Sequence, residues 1–345
     1  MIIPKTRPDR AAEMDAFLHK SGWHGAVRTA LAADASFRRY ERVMLSNAVA
    51  MLMDAPPPWE DVQPFMRVNA HLRRYRMSVP SILAADAEAG FLLLEDLGDA
   101  SFTRLLKENP AREGELYRAA MAVLIEIYRE SQRDSAEQLP PYNAEVYLRE
   151  VALFAEWFLP QVVGLVRARE LRNDWLQLWS GILAAADLQQ HCLVHRDYHA
   201  DNLFWLAERD GHRAVGLLDF QDALWGDAAY DVASLLEDAR RDVSQATVAA
   251  CLQQFIADSG IPEATFMAHY AVLAAQRNAK IVGIFTRLAV RDGKAKYLDY
   301  LPRVWGHLMH DVQHPLLAPI AEFMEKHVPP AWRGAFTADA TLVWS

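Results

Sequence analysis

Residues 191–231 hold three side chains whose types and order suit phosphoryl transfer. The stretch reads HCLVHRDYHADNLFWLAERDGHRAVGLLDFQDALWGDAAYD. Asp197 is followed five positions later by Asn202, and Asp219 closes the next apolar run. Moving a phosphoryl group asks little covalent work of a protein. It needs a carboxylate to orient the attacking hydroxyl and hard oxygen donors for Mg2+. Asp197 is the candidate base; the Asn202 amide oxygen and the Asp219 carboxylate are the candidate metal ligands. A lone Asp-x4-Asn would also suit a turn closed by an Asx hydrogen bond. All three in this order, with the strand-like runs CLV, LFWL and AVGLLD among them, favour chemistry. His191, His195 and His199 recur every four residues, which on a helix would present an imidazole face to zinc. Residues 192–194 read as a buried strand, however, and no HExxH is present. His195 is therefore expected to be a buried loop histidine that orients backbone.

The elements that must position these groups follow in chain order. Residues 6–21 have the apolar spacing of an amphipathic helix. Strands are expected over 27–32, 37–45 and 48–54, with Ser46 and Asn47 turning the last pair and Pro56, Pro57 and Pro58 ending it. The loop of residues 33–36 lacks glycine but can offer backbone N–H groups and the Ser36 hydroxyl to phosphate oxygens. Residues 60–76 read as a helix, with acids at its start and Arg73, Arg74 and Arg76 at its end, as the helix dipole favours. Two more strands meet around residues 88–90, and the second runs into Glu95, Asp96, Leu97 and Gly98. From about residue 101 helices are expected over 101–108, 111–132, 143–157, 166–188, 228–239, 244–258, 263–289 and 297–311. A tail with several prolines follows over 312–345.

The 345 residues allow two lobes with a sizeable core. Net charge is −9 and pI about 5.7, which disfavours broad nucleic-acid binding. Two cysteines make no disulfide framework and suit a reducing compartment. The N-terminus has no apolar signal core, and no apolar run approaches the ~20 residues of a membrane span. A cytoplasmic location is expected, with no membrane, no nucleic acid and no obligate protein partner.

HRDYHADN, LLDFQDA and GDAAYD, in this order, resemble the aminoglycoside phosphotransferase and choline kinase superfamily. The resemblance covers essentially the whole chain. It implies an α+β, protein-kinase-like two-lobed fold, with a small antiparallel-sheet N-lobe over residues 1–97 and a mostly helical C-lobe over 98–345. It implies ATP and Mg2+, with Asp197 as catalytic base and Asn202 and Asp219 as metal ligands. Asp231 would brace the catalytic loop beside His195. Residues 95–98 would be the hinge, so Glu95, Asp96 and Leu97 join Ser36, Phe37, Arg38 and Arg39 as nucleotide-binding candidates. DASFRRY, MLMDAPP, FLLLEDLGD, HRDYHADNL, LLDFQDALWGD and KIVGIFTRLAVRDGKAKYL look more specifically like bacterial anomeric kinases. Those kinases act on N-acetylmuramate and N-acetylglucosamine in cell-wall recycling.

One departure stands out. The third strand, AVAMLMD, carries Met51 and Met53 where such kinases place a phosphate-binding lysine. Arg38 and Arg39 are the first candidates to replace it, and Arg67 the second. For a sugar acceptor, His199 and Gln221 lie beside the catalytic carboxylates. Lys280, Arg287, Arg291 and Lys294 share a helix face that could meet a lactyl carboxylate; Arg287 is the named candidate. Asp222, with Asp227, Glu237 and Asp238, could instead serve a polycationic acceptor. Choline, homoserine, methylthioribose or aminoglycoside kinases stay open as alternatives, as does a nucleotide-binding pseudokinase.

Overall fold

The computed structural model describes residues 10–31, 37–134, 139–339 and 341. Ser36 and the rest of the 33–36 loop lie outside the described residues. The chain forms two compact units. The first comprises residues 1–105 and 201–222, the second residues 106–200 and 223–345. The chain therefore crosses from one unit to the other within the motif stretch.

The first unit is built on a five-stranded antiparallel sheet. Helix α1 (Ala11–Lys20) precedes β1 (Val27–Ala30), β2 (Arg39–Leu45) and β3 (Ala48–Asp54). Helix α2 (Gln63–Arg74), β4 (Ile82–Asp86) and β5 (Phe91–Glu95) follow, giving the order β1-β2-β3-β5-β4. Leu45 pairs with Ala48, so Ser46 and Asn47 form a two-residue hairpin turn, and Ser46 takes a left-handed φ of 53°. The period of two separates the faces. Val43, Ala50, Leu52, Phe91 and Leu93 pack against Met14, Phe17 and Leu18 of α1. Tyr40, Met51, Met53, Leu92 and Leu94 take the other face by register.

Helix α3 (Phe102–Glu108) spans the boundary and leads into the second unit, where helices dominate. These are α4 (Glu113–Ser131), α5 (Ala144–Leu153), α6 (Leu159–Val163), α7 (Leu165–Ala186), α8 (Ala229–Leu236), α9 (Gln245–Ser259), α10 (Glu263–Asp292), α11 (Leu301–Asp311) and α12 (Ala318–His327). The 30-residue α10 runs through the middle of this unit, buried on most sides from Phe266 to Thr286. Its Gly283 lies so close to the end of α5 that a Cβ there would sit 2.3 Å from the Leu153 carbonyl carbon. A π-helical turn, Phe154–Phe158, continues α5 where a single helix is expected over 143–157. Phe154 stacks on Trp175 at 4.6 Å.

Two departures from the sequence reading concern ends. The expected strand over 27–32 is shorter, stopping at Ala30. The proline-bearing tail contains α12, whose Ile320, Phe323 and Met324 are buried. Pro319 sits in the first turn of α12, where proline is tolerated, so it starts the helix rather than forbidding it.

Four short strands carry the motif stretch. β6 (Cys192–Val194) pairs antiparallel with β9 (Leu224–Gly226) in the second unit, and β7 (Leu203–Trp205) with β8 (Val215–Leu217) in the first. The β7–β8 hairpin is thus nested in sequence inside the β6–β9 pair.

Candidate active site

Asp197 follows β6 in the second unit and is itself exposed. Protein packed around it favours the neutral acid. Lys280, His199, His195 and Arg196 outweigh that and hold the carboxyl below its ordinary range. Surface exposure, rather than the density of surrounding atoms, decides whether a substrate hydroxyl can reach it.

The loop bearing Asp197 is fixed from beneath. Asp231 accepts the backbone N–H of His195 at 2.5 Å and of Arg196 at 2.9 Å. Burial pushes the Asp231 carboxyl up to about 7, against the pull of those two donors. Two N–H groups converging on one carboxylate hold the turn while Arg196 takes a left-handed φ of 75°. The His195 ring is fully buried and meets Tyr198 edge-on at 5.6 Å. The link to Asp231 runs through the His195 backbone N–H.

A buried charged cluster supports the same loop. Arg196 pairs with Glu150 of α5, and Lys280 of α10 reaches the same Glu150 oxygen at 3.0 Å. Tyr142 donates to the second Glu150 oxygen at 2.6 Å. Burial opposes ionisation of Glu150, yet Lys280 and Arg196 hold its carboxyl at about 2. Lys280 also lies 3.2 Å from the Tyr230 hydroxyl. Of the basic set on α10, Lys280 is thus committed to Glu150 and Arg291 to Asp292 at 2.7 Å. Lys294 lies past the helix cap. Arg287 remains on that helix, half-buried, with a buried Nε that makes no hydrogen bond among the described residues. His199 is buried, with Nε2 3.4 Å from an Arg240 nitrogen.

The acids that could have served a polycationic acceptor are largely used internally. Asp227 pairs with His269 at 2.8 Å and accepts the N–H groups of Gln189 and Ala229. Glu237 accepts from the Tyr270 hydroxyl at 2.7 Å and from Asn278 at 2.6 Å. Asp238 is buried and accepts the Arg240 N–H.

The first unit supplies Asn202 and Asp219. Leu203 pairs with Leu217, and the next rung continues through the Leu218 N–H to the Asn202 carbonyl at 3.0 Å. The hairpin register therefore brings Asn202 and Asp219 to one end of β7–β8. Asp219 is exposed, sits at φ 62° and accepts a hydrogen bond from the Gln221 amide at 2.8 Å. Gln221 thus acts on Asp219, while Asp222 beside it is exposed. One amide and one carboxylate fit Mg2+, which takes few protein oxygens and completes its shell with phosphates and water.

Arg38 and Arg39 separate by strand alternation. Arg39 opposes Asp54 in the register, donates to it at 2.7 and 3.0 Å, and shares it with Arg10. Arg38 donates to Glu60 at 3.0 Å, and the Phe37 N–H donates to the other Glu60 oxygen at 3.0 Å. Burial disfavours the Arg38 charge, but Tyr40, Glu60 and Asp219 more than restore it. An arginine that feels both the metal-ligand candidate and an acid preceding α2 parallels the lysine–glutamate pair of protein kinases. Glu60 stands in the sequence reading only as a dipole-favoured acid, and Glu150 carries no local signal at all.

The 95–98 segment is held by its side chains. Asp96 binds Arg42 at 2.6 Å and accepts the Gly98 N–H at 2.8 Å. Leu97 is buried against Gly216, where a Cβ would come 2.9 Å from it. The Glu95 carboxylate accepts from the Ser81 N–H and hydroxyl and pairs with Arg209. Contacts to an adenine edge would fall to the backbone of this segment.

Comparison with known proteins identifies the family and the fold. Residues 27–274 match the model of the phosphotransferase enzyme family. An N-acetylmuramate/N-acetylglucosamine kinase of Caulobacter vibrioides is 34% identical, covering 93% of this chain and 97% of that protein. A kinase of the same name from Pseudomonas aeruginosa is 37% identical over 85% of this chain and 86% of its own. Among solved structures, an ADP-bound aminoglycoside phosphotransferase superposes with a TM-score of 0.57 at 13% identity, covering 89% of this chain and 99% of that one. The α+β, protein-kinase-like architecture is shared, and the chain belongs to the phosphotransferase enzyme family.

Proposed function

We propose that the chain is an ATP- and Mg2+-dependent sugar kinase. It phosphorylates the anomeric C1 hydroxyl of N-acetylmuramate and N-acetylglucosamine during cell-wall recycling, in the cytoplasm. The observation that carries the substrate is the match, over most of both chains, to two relatives bearing that name. Two features of the site support it. Of the acids a polycationic acceptor would need, Asp227, Glu237 and Asp238 are engaged by His269, by Tyr270 and Asn278, and by the Arg240 N–H. Arg287 keeps hydrogen-bonding capacity that suits the lactyl carboxylate of N-acetylmuramate. Two free, buried cysteines suit a reducing compartment, and no helix among the described residues is long and apolar enough to cross a membrane.

In this reading Asp197 orients the C1 hydroxyl and accepts its proton late. A carboxyl held below its ordinary range is sufficient because the transition state is loose and needs positioning more than basicity. Asn202 and Asp219 would hold Mg2+, which when bound would supply positive charge for the phosphate oxygens. Gln221 fixes the rotamer of Asp219, and Arg38, set by Glu60, supplies the cation that the third strand lacks. The backbone of Glu95, Asp96 and Leu97 meets the adenine, and Phe37 flanks the phosphates. His199 and Asp222 take sugar hydroxyls, and Asp231 and His195 hold the catalytic loop. An ADP-release assay against N-acetylmuramate, N-acetylglucosamine, kanamycin and choline tests the assignment. The two amino sugars are expected to turn over at least tenfold faster in kcat/KM than the other acceptors. Preference for kanamycin or choline would overturn it.

A further inference from the structure

A cavity of about 430 Å³ opens in the first unit, and none of Arg38, Asn202 and Asp219 lines it. Four arginines converge on it from two segments far apart in sequence. Arg73 and Arg76 come from the end of α2, and Arg209 and Arg213 from the β7–β8 connection. The two segments are fixed to each other. The Leu217 N–H donates to the Ser78 carbonyl at 2.8 Å, and the Ser78 hydroxyl to the Arg213 carbonyl at 2.7 Å.

Two of these guanidiniums have been given other work. Arg209 pairs with Glu95, and Arg73 donates to the Ser81 hydroxyl at 2.8 Å. The side chains of Arg76 and Arg213 form no ion pair or hydrogen bond among the described residues, although Glu208 and Asp210 line the same cavity. Arg76 also occupies a conformation that disfavours it. It sits just past the cap of α2 at φ 60°, with Arg76 N–H to Arg73 carbonyl and Met77 N–H to Leu72 carbonyl bonds. That is the Schellman arrangement, whose left-handed residue is most often glycine. An arginine there costs roughly 1 kcal/mol. The helix dipole favours cations at this end, which accounts for Arg73 and Arg74. It does not account for Arg213, which lies on another segment, nor for two cations facing one cavity with no carboxylate bound to them.

We propose that this cavity binds a phosphorylated small molecule, with Arg76, Arg213 and Arg73 on the phosphate oxygens and Glu208 and Asp210 on hydroxyl groups of the esterified part. Arginine forks match phosphate geometry, and carboxylates accept from sugar-like hydroxyls. A volume near 430 Å³ exceeds what bare phosphate requires and falls in the range of ordinary small-ligand sites. The site is separate from the residues assigned to the transferred phosphate, so it stands whether or not the sugar assignment does.

Calorimetric titration of the full chain, saturated with ADP and N-acetylglucosamine so that the acceptor site is filled, tests it with glucose 1-phosphate and inorganic phosphate as probes. The expected result is one bound glucose 1-phosphate per chain with a Kd below about 1 mM, some 4 kcal/mol of binding, and weaker binding of phosphate. The Arg76→Gly/Arg213→Ala variant should weaken glucose 1-phosphate binding at least tenfold. Glu208→Ala should weaken the ester but leave inorganic phosphate unchanged. Arg76→Gly alone relieves the left-handed backbone and keeps the fold, so it should still lose at least threefold if the double variant unfolds. Failure of either probe to bind the wild type, or equal Kd values in wild type and variants, would overturn the proposal.

Discussion

At the scale of residues, the sharpest contrast lies between two neighbours. Arg38 and Arg39 are adjacent, basic and indistinguishable by composition, yet strand alternation sends them to opposite faces. Arg39 meets Asp54, whose side chain is 1% exposed, together with Arg10. Arg38 meets Glu60 and feels Asp219. Arg38→Ala should therefore raise the ATP KM at least tenfold, roughly 1.4 kcal/mol, with little loss of stability. Arg39→Ala should leave nucleotide kinetics near wild type and lower the melting temperature, because it strips a partner from a buried carboxylate. Steady-state kinetics and thermal melts of the two variants check this; equal KM values in both would contradict the assignment. The candidate carboxylates and Asn202 are legible because they fall in two short motifs, HRDYHADN and LLDFQDA. Glu60 and Glu150 are not, since the arginines they pair with, Arg38 and Arg196, lie 22 and 46 positions away.

At the scale of elements, the sheet and most helices were readable from period-two and period-3.6 patterns, while their ends drifted. The π-helical turn at Phe154–Phe158 had no sequence signal because it answers to packing. α10 crosses the end of α5 with Gly283 pressed on the Leu153–Phe154 peptide, and a Cβ would stand 2.5 Å from the Leu153 oxygen and the Phe154 nitrogen. Backbone cannot yield there as a flexible side chain could. Gly283→Ala should destabilise the fold by about 2–3 kcal/mol, despite the higher helix propensity of alanine. Urea unfolding with equal or greater stability for the variant would show that α10 and α5 can part at no cost. α12 was hidden by the prolines that surround it, one of which starts the helix.

At the scale of the whole molecule, acid sensitivity follows from the cluster around Glu150. Its folded carboxyl sits at about 2, below the ordinary ~4.3 of an unfolded chain. A depressed folded value contributes stability that is complete above about pH 5 and lost as pH falls towards 2. The size is roughly 3 kcal/mol. Fluorescence of Trp175, Trp179 and Trp305, all buried in the second unit, reports the unfolding of the part that holds the cluster. Urea midpoints of the wild type should fall more steeply between pH 5 and pH 3 than those of Glu150→Gln. Parallel declines would remove Glu150 from the explanation.

The assignment of chemistry rests on Asp197, exposed at the end of a loop held by Asp231 and ringed by Lys280, His199, His195 and Arg196. Phosphorus NMR of the chain with Mg·ATP and N-acetylmuramate or N-acetylglucosamine tests it most directly. The wild type should form ADP and a sugar phosphate whose phosphorus couples to the anomeric proton. Asp197→Asn should bind nucleotide normally and form no such product. Phosphate on another hydroxyl, or transfer by Asp197→Asn at the wild-type rate, would contradict the account.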